Sequence, residues 1–312
     1  MFDGYLTDVE GVLVGHAQNR DARTGCSVVL CPKGAVAGVD VRGGAPGTRE
    51  TDVLRQGNLV ERIHGVLLAG GSAFGLDAAG GVMRCLEQRG VGLDVGVANV
   101  PIVCGAVLFD LAVGDGAVRP DGPMGYAACE DAFQKGGKPQ GAVGAGTGAT
   151  VGKAAGAAYC MRGGLGSASL HLSGDVVVSA IAAVNALGDV VDYRTGEILA
   201  GARRKGEFLD LRSYMISGGE SFALVGGNTT IGVVATNAAL DKGQALRLAT
   251  VAQDGLALSI RPVHTLSDGD TVFSLATGTQ TAELSGLYAA APVVMAQAIT
   301  NAIWATNSQQ EA

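Results

Sequence analysis

GGNTTIGVVATNAALDKG, residues Gly226 to Gly243, sets a polar, glycine-flanked Asn-Thr-Thr directly before a strongly apolar strand signal. Two readings compete. Gly, Asn and Thr are ordinary turn and strand-entry residues, so the stretch can be a turn feeding a core strand. Alternatively, Thr229 is a masked nucleophile, released when the chain cuts itself between Asn228 and Thr229. A threonine hydroxyl attacks poorly unless a base activates it. An N-terminal threonine carries that base itself, because its free α-amine titrates near roughly 8. In a tight Gly-Gly-Asn turn the hydroxyl can attack the Asn228 carbonyl, convert the amide to an ester and let water finish the cut.

Around this junction the chain alternates strand and helix signals. Val-rich strand signals occur in GVLVGH, GCSVVLC, AVAGVDV, GVLLAG, GAVLFDL, VVVSAIAAVNALGDVVD, TIGVVATN and TVFSLATG. SAFGLDAAGGVMRCLEQRG predicts a helix with Ser72 as N-cap and an apolar face of Leu76, Ala79, Met83 and Leu86. A second stripe runs through Ala245, Leu248, Ala252, Leu256 and Ile260, and ELSGLYAAAPVVMAQAITNAIWA predicts a final, largely buried helix. Residues 194–221 are the most polar long stretch and suggest a surface excursion just before the Asn-Thr site. No internal repeat is present. The pattern predicts one α/β domain over residues 1–312, sheets covered by small-residue helices.

Composition narrows the function classes. At 312 residues with 47% hydrophobic and 16% charged, the chain is long and apolar enough for a sizeable core. The 50 glycines are about twice the usual share and fall in Ala/Val-rich stretches, which suggests close backbone approach and tight turns. A net charge of −7, no Lys/Arg cluster beyond Arg203 to Lys205 and only 4% aromatics argue against a nucleic-acid partner. The six cysteines form no CxxC pair and no zinc spacing, and most sit among apolar residues as reduced buried thiols do. No secretory signal and no uninterrupted apolar run of membrane-spanning length is evident, so a cytoplasmic location is expected.

Several residues could carry chemistry. Lys153, in GTGATVGKAAG, stands alone among small neutral residues. The spacing fails as a P-loop, and Ala154 follows the lysine where Ser or Thr is needed. Lys153 is then either a solvated surface lysine or a partly buried one tuned for acid–base work. Asn185, within the apolar SAIAAVNALGD, is either a structural amide or an oxyanion donor. Asp268 and Asp270, in TLSDGDTVF, form a turn or present two carboxylates in one direction. Arg42 to Asp52 has the make-up of a surface or pocket loop. His16, His64, His171 and His264 are scattered, with no metal-binding spacing.

Together these stretches carry a resemblance. GVLVGH, VRGGAPGTRETDVL, LLAGGSAFGLDAAGGV, GTGATVGKAAG, VNALGDVVD, GNTTIGVVATNA and RPVHTLSDGDTVFSLATG, in this order, resemble the L-aminopeptidase/D-esterase family, which includes β-peptidyl aminopeptidases and the endo-type nylon-oligomer hydrolase. The similarity runs from about Thr7 to about Met295. It implies a four-layer αββα sandwich like that of N-terminal-nucleophile hydrolases, with different connectivity. It also implies self-cleavage into an α part, 1–228, and a β part, 229–312, assembled as tetramers or larger of αβ units. By motif, Thr229 would be the nucleophile, Lys153 the nearby lysine, Asn185 the oxyanion donor, Asp268 and Asp270 the orienting acidic pair, and Tyr126 a pocket tyrosine. No metal or organic cofactor is implied. The expected activity is hydrolysis of amide bonds in peptides, amino-acid amides or aminohexanoate oligomers. An acyltransferase of the ornithine acetyltransferase type and an uncleaved binding scaffold are the alternatives.

Overall fold

Alternation of side chains gives each central strand two different partners, and the chain uses both faces throughout. In the computed structural model, which describes residues 3–135, 138–222 and 226–311, eight longer strands carry the architecture. They are β1 (Leu13–Asn19), β2 (Thr24–Val41), β3 (Ile63–Ala69), β4 (Val103–Val107), β5 (Gly164–His171), β6 (Val177–Asn185), β7 (Thr229–Ala238) and β8 (Thr271–Gln280). Four helices cover them: α1 (Ala78–Glu87), α2 (Gly122–Lys135), α3 (Lys242–Ser259) and α4 (Leu284–Glu311). The strand order is β5-β6-β7-β8-β2-β3-β4, closed at one edge by Thr48–Arg49, with β1 also on β2. Only the β7–β8 and β3–β4 pairs are parallel.

The long strand β2 belongs to two sheets. Its first half, Thr24–Leu30, pairs with β1 and β3, and its second half, Val36–Val41, pairs with β8. The register breaks between Leu30 and Ala35, where Pro32 lacks an N–H and Gly34 has φ +77°. The two sheets fold face to face across this bend. Between them lie Val29, Val66 and Leu68 from one sheet and Ile231, Val233 and Phe273 from the other. The outer face of the first sheet packs Val28 and Leu67 against Val82 and Cys129 of α1 and α2. The outer face of the second packs Ala180 and Val234 against Leu248 and Ile299 of α3 and α4. Three apolar layers therefore separate four structural ones, the αββα arrangement expected from the sequence.

Glycine sets how closely the helices approach. At Gly166 on β5 an added Cβ would lie 2.2 Å from the Ala298 carbonyl oxygen of α4, so any side chain there would push the helix off the sheet. Three sequence expectations need correction. Ser72 does not cap α1: it has φ +52° and opens a 3₁₀ turn, Ser72–Asp77, that precedes the helix. Cys85 and Cys129 are not reduced thiols but a disulfide that ties α1 to α2, their Cα atoms 6.3 Å apart. Leu284–Gln309 does reach the length and hydropathy of a membrane-crossing helix, but 72% of its most apolar window is buried against the sheet and α3, as in a core helix.

Candidate active site

β6 and β7 run antiparallel with Asn185 directly opposite Thr229. The alternation that turns Ala183, Ile231 and Val233 toward the inter-sheet layer puts Asn185 and Thr229 on that same face. β8 enters beside β7 through Asp268-Gly269-Asp270, and Asn228 bridges Asp268 in parallel fashion. The Gly269 N–H donates to the Asn228 carbonyl oxygen at 2.9 Å. The Thr229 hydroxyl hydrogen-bonds that same oxygen. The carbonyl of the expected scissile bond is thus held between a backbone donor and the hydroxyl that follows it. Nothing larger than glycine fits at 269, because an added Cβ would sit 2.7 Å from Thr229 Oγ1 and 2.8 Å from the Ala45 carbonyl oxygen.

The two carboxylates brace this turn from below. Asp270 Oδ1 accepts the Thr230 N–H at 2.7 Å, and its Oδ2 accepts the His264 N–H at 3.2 Å and lies 2.9 Å from His264 Nδ1. Asp268 Oδ2 accepts the Thr265 N–H at 2.7 Å. Both are buried, and burial first, then the Asp270 charge, raises the Asp268 pKa. Among the described residues neither carboxylate is hydrogen-bonded to Thr229; Asp270 holds the backbone just after it, and Asp268 fixes the loop at Thr265.

Lys153 reaches the site from a loop fixed by backbone bonds from Gly152 and Lys153 to Gly188 and Leu187. Its Nζ donates to Asn185 Oδ1 at 2.7 Å, the Asn185 carbonyl at 2.9 Å and the Gly227 carbonyl at 2.9 Å. Burial pushes its pKa down to about 7, against the opposing charges of Cys160, Asp268, Asp110 and Asp270. The residue is partly exposed where it lines a cavity, but the nitrogen faces three oxygens. Three acceptors use all three N–H bonds of an ammonium, and a neutral amine has only two, so this is the arrangement of the charged side chain. Fully buried Asn185 accepts the Thr150 N–H at 3.0 Å and donates from Nδ2 to the Phe109 carbonyl at 3.1 Å, with the Gly227 carbonyl at 3.5 Å.

Two cavities flank the junction. One of about 180 Å³ touches Thr229 and is walled by Ala45 and Pro46, from the loop at residues 42–52 that the sequence marks, and by Ser72 and Ala73 of the 3₁₀ turn. The other, about 330 Å³, touches Gly227, Asn228 and Lys153. Tyr126 is not brought to this site. It lies on α2 with its hydroxyl donating to Gln88 at 2.7 Å and lines neither cavity, because α2 packs on the far face of the first sheet. Sequence reasoning also missed the Gly269 N–H and His264; the RPVHTLSDGD run holds both, but a backbone donor has no side-chain signature. Among the described residues no group of three or more His, Cys, Asp or Glu is placed to hold a metal ion.

Residues 4–311 match the family model described as peptidase family S58. The chain belongs to peptidase family S58. An uncharacterised aminopeptidase of Mycobacterium leprae is 46% identical over 307 residues, covering 88% of this chain and 78% of that protein. A 6-aminohexanoate-oligomer endohydrolase of Paenarthrobacter ureafaciens is 34% identical over 279 residues, covering 86% and 74%. Among solved structures, a Burkholderia sp. β-aminopeptidase superposes with a TM-score of 0.69 at 23% identity, over 98% of this chain and 88% of the other. The L-aminopeptidase D-Ala-esterase/amidase of Ochrobactrum anthropi, described as a variant of the Ntn-hydrolase fold, gives 0.69 at 20%, over 98% and 87%. This S58 chain is therefore an amide hydrolase on an Ntn-type fold.

Proposed function

We propose that this S58 peptidase cuts its own Asn228–Thr229 bond and then uses Thr229 to hydrolyse amide bonds of amino-acid amides, short peptides or amino-acid oligomers. The observation that carries the reading is the Asn228 carbonyl oxygen, shared between the Gly269 N–H and the Thr229 hydroxyl. Thr229 Oγ attacks the Asn228 carbonyl carbon, and negative charge develops on the oxygen facing Gly269. The C–N bond breaks, the hydroxyl proton passes to the departing Thr229 nitrogen, and an ester remains. Water hydrolyses that ester, leaving an Asn228 carboxylate and a free Thr229 amine. The amine then serves as base for the same hydroxyl on substrate. As an ammonium, Lys153 holds the Gly227 carbonyl and the Asn185 amide. Once the Gly226–Asn228 tail withdraws, Asn185 Nδ2 loses its Gly227 acceptor and becomes the second oxyanion donor. The relatives named as aminopeptidases and as an aminohexanoate-oligomer hydrolase support this class of substrate. Assembly into a homo-oligomer of αβ units belongs to the same proposal, and exposed Leu59, Val97 and Leu266 are apolar side chains it would cover.

Intact mass of purified protein tests the reading: two fragments are expected, the smaller beginning Thr-Thr-Ile-Gly. A chain that stays whole after long incubation, or a fragment with another N-terminus, overturns it. Gly269→Ala should slow self-cleavage by about 10²-fold or more, the scale of one lost oxyanion donor, because its Cβ displaces both that N–H and Thr229 Oγ1. A time course by denaturing gel measures this, and cleavage at the normal rate would remove Gly269 from the mechanism.

A further inference from the structure

The larger cavity is cationic although the protein carries a net charge of −7. Arg23, Lys153 and Arg162 line it, and among the described residues no Asp or Glu does. Lys153 is already occupied by its three oxygens, but the two arginines are not. Neither guanidinium makes an ion pair or a hydrogen bond among the described residues, and Arg23 Nε is buried with no partner. The buried Arg23 Nε–H is a costly donor to leave unsatisfied unless something supplies an acceptor. Arg23 moreover sits at φ +56°, a region that a non-glycine residue enters at a cost and that favours functional positions. Arg162 is close enough to Arg23 that, after burial, the Arg23 charge further lowers its pKa. Two like charges kept side by side without a counter-ion describe a site for an anion.

The position of the cavity says which part of a substrate it meets. Gly227 and Asn228 line it, and they are the acyl side of the bond whose carbonyl lies on Gly269. If the same hydroxyl and the same N–H serve an incoming substrate, its acyl portion runs where Gly227 and Asn228 run. The remaining walls, including Phe109, Val113, Met161 and Phe222, are apolar and suit a short methylene chain. We infer that Arg23 and Arg162 form a carboxylate-binding subsite, so that the acyl group this enzyme prefers carries an acidic side chain. This inference rests on the proposed function for its orientation and on the cavity alone for the anion.

The test uses the α-p-nitroanilides of Glu and Gln, which match in length and shape and differ in charge. The wild-type enzyme should favour Glu at least tenfold in kcat/KM, the effect of one charge-assisted hydrogen bond. That Glu-to-Gln ratio should fall at least tenfold in Arg23→Gln and in Arg162→Gln. A ratio near or below one in the wild type, or one unchanged in both variants, overturns the subsite even while Thr229-dependent hydrolysis stands. Calorimetric titration of glutarate into full-length Thr229→Ala reads the cavity without any turnover. Saturable binding, weakened at least tenfold by adding Arg162→Gln, supports the subsite even where neither anilide is cut and the proposed hydrolysis fails. Absence of saturable binding overturns it.

Discussion

Thr229→Ala is expected to leave the purified chain at full length and to lower amide hydrolysis by at least about 10⁴-fold, the scale on which nucleophile deletions act in hydrolases. The variant has no oxygen to begin the acyl shift, so the amine that would serve as base is never exposed. Its fold should survive. The deleted hydroxyl has one hydrogen-bond partner, the Asn228 carbonyl, which keeps the Gly269 N–H, so the cost is about 1 kcal/mol. Thr229→Ser restores an oxygen at the same place and should restore both cleavage and turnover. Intact mass, an anilide assay and a thermal midpoint separate these outcomes. Cleavage of the alanine variant at Asn228 would assign the attack to another group.

Lys153→Met should cut self-cleavage or turnover by about 10²-fold or more while the chain still folds. Methionine matches the buried stem but supplies no donors, so the Gly227 and Asn185 carbonyls and Asn185 Oδ1 lose their shared cation. A pH profile separates this role from a packing role. In the mature enzyme the Thr229 amine must be neutral to accept a proton, and an unperturbed α-amine titrates at about 7.7–8.0. A neighbouring Lys153 ammonium disfavours the protonated amine and lowers that value. Turnover is then lost as pH falls through the lowered value, and removing the Lys153 charge moves this acid limb to higher pH. A limb that stays in place, or moves down, would show that Lys153 does not act on the amine by charge.

Most of the strands were legible because a Val-rich apolar run is a direct trace of burial on both faces, as in TIGVVATN and TVFSLATG. β5 was not, because GLGSASLH has hardly any β-branched residues: Gly164 and Gly166 are there to let α4 lie close, and that demand erases the strand signal. The site divided along similar lines. Side chains that stand out against small neutral neighbours, Lys153 and Asn185, could be picked from the sequence. The structural-amide reading of Asn185 and the oxyanion-donor reading are not exclusive, since it ties Thr150 and Phe109 while standing opposite Thr229. Gly269 acts through its N–H and through what it lacks, and Arg23 and Arg162 converge from distant segments, so no local pattern could pair them. Tyr126 shows the reverse error, a motif position whose helix faces away from the chemistry.

Where the proposed cut falls also decides what kind of object would remain. β7 and β8 lie after Thr229, yet in the sheet they stand between β6 and β2, which lie before it. Severing Asn228–Thr229 therefore does not detach a tail; it leaves two polypeptides threaded through one another in the middle of a continuous ladder. They cannot part without unravelling the sheet from its centre. What folds as one molecule would thereafter unfold as two, and its recovery would depend on their meeting again. A protein so divided would have to be completed first, and its persistence afterwards would be set by how slowly it opens rather than by how readily it reforms.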